Sequence, residues 1–144
     1  MARITEVLDE AHLVMFDRLR LPVSGASLMA GATWTLDAVL FTGEHGPGKA
    51  SLSIVRVDGE GSQVEITIPE GMEATIQPAE FQVSPRAEYK SRFLIWTSPN
   101  IQPGRYWLSI NYSIEGSISG HCRFTVNIKP YEGDLYPVPS LLPE

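Results

Sequence analysis

Residues 98–129, SPNIQPGRYWLSINYSIEGSISGHCRFTVNIK, decide the fold, because they join a Pro-Gly turn to two alternating runs. Pro103 presets φ, and Gly104 accepts the positive φ that a type II turn requires. Downstream, Tyr106, Leu108, Ile110 and Tyr112 share one face while Trp107, Ser109 and Asn111 share the other, the alternation of a half-buried strand. Cys122, Phe124, Val126 and Ile128 repeat the pattern against Arg123, Thr125, Asn127 and Lys129. Two such runs around a polar, glycine-containing connection predict the closing hairpin of a small antiparallel sandwich.

Upstream segments extend the same reading. Trp34, Leu36, Ala38 and Leu40 alternate with Thr35, Asp37, Val39 and Phe41, and the glycine-rich loop 43–48 ends that run. A strand over Ala50 to Val57 leads to Asp58-Gly59, a pair suited to hairpin turns, and Val64, Ile66 and Ile68 alternate beyond it. Further segments at 74–83 and 88–96 are bounded by Pro78, Pro85 and Pro99. The spacing predicts an all-β, immunoglobulin-like antiparallel sandwich of roughly seven or eight strands over residues 25–130.

The flanks read differently. In residues 1–24, Ile4, Leu8, Ala11 and Met15 follow helical spacing behind a possible Thr5 cap, whereas Leu19, Leu21 and Val23 alternate around Pro22. The expectation is a short helical or irregular lead-in, with the first strand from about His12. Residues 131–144 hold Pro137, Pro139 and Pro143 among Leu135, Tyr136, Val138, Leu141 and Leu142, which predicts an extended tail that does not join the sheet.

With 144 residues, one domain can form a core without disulfides, and Cys122 is the only cysteine. A net charge of −6 with scattered Lys and Arg argues against nucleic acid or an anionic membrane as partner. No apolar run approaches the roughly 20 residues that span a bilayer. The N-terminal residues carry Glu6, Asp9 and Glu10 where a secretory signal is apolar, so the expected compartment is the cytoplasm, or the exterior if the domain is excised from a secreted precursor.

Catalytic patterns fail on chemistry. Gly43-Glu44-His45-Gly46-Pro47-Gly48-Lys49-Ala50 approaches the phosphate-loop pattern, but Ala50 lacks the hydroxyl that binds magnesium and the following SLSIVRV reads as a strand, not a helix. His121 and Cys122 leave opposite faces of a strand, so one metal cannot readily use both. Gly116-Ser117-Ile118-Ser119-Gly120 places Ile118 where a nucleophile elbow needs serine. No catalytic residue, metal ligand or cofactor is assigned. Trp34 and Trp96 are expected in the core, whereas Trp107 shares the polar face and either binds a partner or packs beneath the tail or lead-in.

The strand, Asp-Gly turn, strand and final PGRYWLSINY-to-CRFTVNI hairpin resemble two groups. One comprises prokaryotic immunoglobulin-like modules of surface-layer proteins and glycosidases, which implies an accessory or adhesive role. The other is a bacterial family of cytosolic β-sandwich proteins of unknown function, with a beginning like AHLVMFDRLRLPVSGASLMAG. The resulting expectation is a non-enzymatic sandwich that acts through protein partners or self-association. A carbohydrate-binding module is the alternative. The candidate binding residues are Trp107, Ser109, Asn111, Tyr131, Tyr136, Leu141 and Leu142.

Overall fold

The structure, a computed structural model, describes residues 10–115 and 117–131. A four-stranded antiparallel sheet has the order β1 (His12–Phe16), β3 (Thr33–Phe41), β8 (Glu88–Thr97) and β6 (Met72–Gln77). The six-stranded sheet runs β2 (Gly25–Met29), β10 (Ile118–Lys129), β9 (Gly104–Ile114), β4 (Gly48–Val57) and β5 (Glu65–Ile66), with β7 (Glu80–Val83) also paired to β4. The long β9–β10 ladder is the hairpin expected from the 98–129 stretch.

Alternation on the inner faces builds the core. Leu36, Ala38 and Leu40 of β3 meet Leu108, Ile110, Phe124 and Val126 of the opposite sheet within one buried cluster. Phe93 and Phe124 pack edge to face at 5.6 Å, and Trp34 reaches Phe124 at 5.9 Å. Full burial of side chains of this size stabilises the fold by about 1.5–3 kcal/mol each.

The described residues hold ten strands rather than seven or eight, and the differences have local causes. Segment 74–83 is two strands, because the chain changes sheets at Pro78: β6 pairs with β8, and β7 with β4. Ser91, only 1% exposed, donates its hydroxyl to the Pro78 carbonyl at 2.7 Å, which ties that corner to β8. The 64–68 run yields only the two-residue β5, since it meets only the last residues of β4.

The sandwich is also not wholly antiparallel. β2 lies parallel to β10, with Gly25 opposite Thr125. A Cβ at Gly25 would stand 2.8 Å from the Thr125 carbonyl oxygen, so this close pairing demands glycine. β1 begins at His12 as expected, but residues 19–21 form a loop with Leu19 and Leu21 exposed. The expectations for residues 1–9 and 132–144, including the extended tail, lie outside the described residues.

Trp96 corrects another expectation. Phe93-Leu94-Ile95-Trp96 is continuously apolar, so its period is ambiguous without the register. The ladder pairs Phe93 with the inward Leu36 and Ile76, and therefore turns Trp96 outward between Thr33 and Glu73. Its side chain is 41% exposed.

Candidate functional site

Register places the predicted trio Trp107, Ser109 and Asn111 on the outer face of the six-stranded sheet. Across β4, β9 and β10 the successive rows are Val57-Trp107-Thr125, Val55-Ser109-Arg123, Ser53-Asn111-His121 and Ser51-Ser113-Ser119. The last two rows floor a shallow groove of about 460 Å³. Its outward side chains are Ser51, Ser53, Asn111, Ser113, Ser119 and His121, so neither a carboxylate nor a Lys or Arg lines it.

One contact orients this groove. Ser109 is only 3% exposed, and its hydroxyl donates to Asn111 Oδ1 at 2.7 Å. The amide oxygen is thus engaged, which leaves the Nδ2 donors for the groove. Neither Ser51, Ser53, Ser113 and Ser119 nor His121 was singled out from the sequence as a binding residue. The serine alternation was visible, but nothing in it shows which strands become neighbours.

The other two rows are roofed. Arg123 Nη1 donates to the Ser62 carbonyl at 2.6 Å and pins the β4–β5 loop over this half of the face. Trp107 lies half-buried in a cleft with Ser24, Gly59, Glu60, Gly61, Arg123 and Thr125, so the β4–β5 loop and the end of the lead-in both border it, and the tail expected over it lies outside the described residues. Its ring is therefore not an open stacking platform. Tyr131, 45% exposed, lies beyond the end of β10, where the Gly31 position is bordered by its ring and by Pro99, so it does not join Trp107. Tyr136, Leu141 and Leu142 lie outside the described residues.

The remaining chemistry is sparse. Gly48 opens a strand, as the phosphate-loop argument required. His121 is exposed on the outer face, while the neighbouring Cys122 packs against the core, where burial pushes its thiol pKa up. His45 Nδ1 and Ser117 Oγ meet at 2.5 Å between two loops, a pairing hidden by 72 residues of sequence separation. Among the described residues, no group of three or more His, Cys, Asp or Glu could hold a metal ion.

The four-stranded sheet presents a different outer face. Trp96 stands beside Leu94, with the ladder neighbours Thr33, Thr35 and Thr75. Glu73 flanks Trp96 from the neighbouring strand β6, and Arg92 lies beyond Leu94 on β8, only loosely held by Asp37 at 4.0 Å. Beyond Arg92, His12 stacks on Phe41 at 4.9 Å and Arg20 covers Phe16 at 4.6 Å.

The sequence matches no protein-family model and no curated protein. Among solved structures, a family 123 glycoside hydrolase from Clostridium perfringens superposes with a TM-score of 0.59 at 11% identity over 83% of this chain. A FixG-related protein from Vibrio parahaemolyticus gives 0.54 at 9% identity, covering 84% of this chain and 98% of its own. The sialic acid binding region of a Streptococcus sanguinis SK1 adhesin gives 0.52 at 10% identity over 94% of this chain. The chain spans only 27% of the hydrolase chain and 32% of the adhesin chain. Identities this low establish a shared sandwich fold and nothing about activity.

Proposed function

We propose that the chain is a non-catalytic binding module that works through protein contacts, and that its partner is a second copy of itself, met across the outer face of the four-stranded sheet. The observation that carries this reading is Trp96, 41% exposed on a strand face beside Leu94. Tryptophan dominates contact energy at interfaces when it is fully desolvated, and an exposed one on a flat sheet gains by being covered.

Charge supports a symmetric partner. Glu73 stands beside Trp96 on β6, and Arg92 lies past Leu94 on the strand that carries Trp96, so the two charges sit at different ends of the strip. A two-fold rotation about an axis through this strip sets Glu73 of one copy against Arg92 of the other, twice over. The His45–Ser117 pair tethers two loops, and among the described residues no hydrogen bond joins His45 to a carboxylate that would orient it as a base. Sedimentation velocity tests the reading: association should rise with concentration and disappear in Trp96→Ser. A wild type that stays monomeric across the soluble range overturns it.

A further inference from the structure

We propose that the groove across β4, β9 and β10, on the sheet opposite Trp96, is a binding site for a neutral saccharide. This inference is independent of self-association, because the two faces belong to different sheets of the sandwich.

The lining selects the ligand class. Ser51, Ser53, Ser113 and Ser119 supply hydroxyls that both donate and accept, and Asn111 adds amide donors. Sugar hydroxyls have the same dual character, so each can be matched without leaving a buried group unpaired. No carboxylate, Lys or Arg side chain lines the groove itself; the nearest charges, Arg123 and Glu65, border the adjoining pocket, where Arg123 Nη1 donates to the Ser62 carbonyl.

Shape agrees with chemistry. The serine side chains are short and keep the bed open, and neighbouring strands lie about 4.8 Å apart, so one sugar ring lies across two of them. The volume of about 460 Å³ falls within the roughly 300–1,000 Å³ of small-ligand sites. His121, exposed opposite Asn111, offers a flat ring at the rim in place of the covered Trp107.

Ser109 is the positioning residue. With the Asn111 amide oxygen held by a hydroxyl that is itself buried, the amide nitrogen is fixed before any ligand arrives. Pre-ordered donors avoid the cost of ordering on binding.

The test is a titration of the full chain, followed by nitrogen–proton correlation spectra, with maltotetraose, cellotetraose, xylotetraose and N-acetyllactosamine as neutral probes and sialyllactose as the charged control. At least one neutral probe should shift the amides of Ser51, Ser53, Asn111, Ser113, Ser119 and His121 as a group. Asn111→Asp keeps the shape but removes the donors, and should weaken binding by about tenfold, the loss of one good hydrogen bond. Ser53→Ala, at an exposed position, should weaken it severalfold without affecting folding. Ser109→Ala should weaken it while the Asn111 side-chain amide resonances broaden, which a merely structural role would not produce. Trp96→Ser should leave the titration unchanged, so loss of association and loss of sugar binding are separable. Silence from every neutral probe, shifts from the charged sugar alone, or occupation of this face by a second copy would each overturn the proposal.

Discussion

Tyr112 and Gly120 face each other across the β9–β10 ladder, and the tyrosine ring occupies the space that a side chain at 120 would need. A Cβ there would stand 2.5 Å from the Tyr112 hydroxyl, which itself donates to the Ala11 carbonyl at 3.1 Å. The aromatic ring thus covers a bare stretch of strand and ties β1's approach to the opposite sheet. Gly120→Ala should displace the ring and destabilise the protein by about 1–3 kcal/mol. Urea denaturation measures this, and an unchanged midpoint would mean that the ring does not sit there.

A second glycine governs the parallel pairing. Gly25 lies against Thr125, whose amide donates to the Ser24 carbonyl at 3.0 Å. Gly25→Val should push β2 away from β10, and hydrogen exchange at the Thr125 amide should accelerate well before global unfolding. Equal acceleration at every core amide would indicate general destabilisation instead.

Ser91 is the polar tie at the corner where the chain changes sheets. Its hydroxyl is buried and bonded to the Pro78 carbonyl. Ser91→Ala leaves that acceptor without its partner and should cost about 1–3 kcal/mol. Thermal unfolding followed by circular dichroism reads the loss, and a neutral result would show that water replaces the hydroxyl.

Alkaline pH should weaken the fold through two acids packed against the core, the buried Tyr112 and the half-buried Cys122. Burial pushes the Cys122 thiol above its ordinary value of 9.0. Burial chiefly, with the charges of Cys122 and Glu10, raises the Tyr112 phenol above its ordinary 10.0. Both groups are neutral when protonated, and each has a folded pKa above its unfolded one. Their contribution is therefore fully present below the unfolded values and is lost as pH rises through the raised folded values. Denaturation midpoints should fall above pH 9.0, and Cys122→Ala should remove the earlier part of that fall. An unchanged pH profile in Cys122→Ala would contradict this.

Legibility in the sequence followed local period. The alternation of Tyr106 to Tyr112 and Cys122 to Ile128 fixes which residues face inward, and the trio Trp107, Ser109 and Asn111 lies on the outer face as that period requires. Continuous apolar runs carry no such information, which is why Trp96 was expected inside and stands outside. Long-range relations were also hidden. Nothing in Gly25–Met29 announces a parallel partner a hundred residues away, and the roof over Trp107 depends on an Arg123 contact with the distant Ser62 carbonyl. The groove could not be assembled from sequence because its serines come from three strands whose adjacency only the register supplies.

Charge reversal on the Trp96 face tests the central claim, symmetric association through protein contacts, most directly. Glu73→Lys and Arg92→Glu should each abolish association alone, because the two-fold places like charges together. An equimolar mixture of the two variants should associate again in sedimentation velocity, since both cross-pairs are then complementary. A mixture that remains monomeric while the wild type associates, or single variants that associate as the wild type does, would contradict the account.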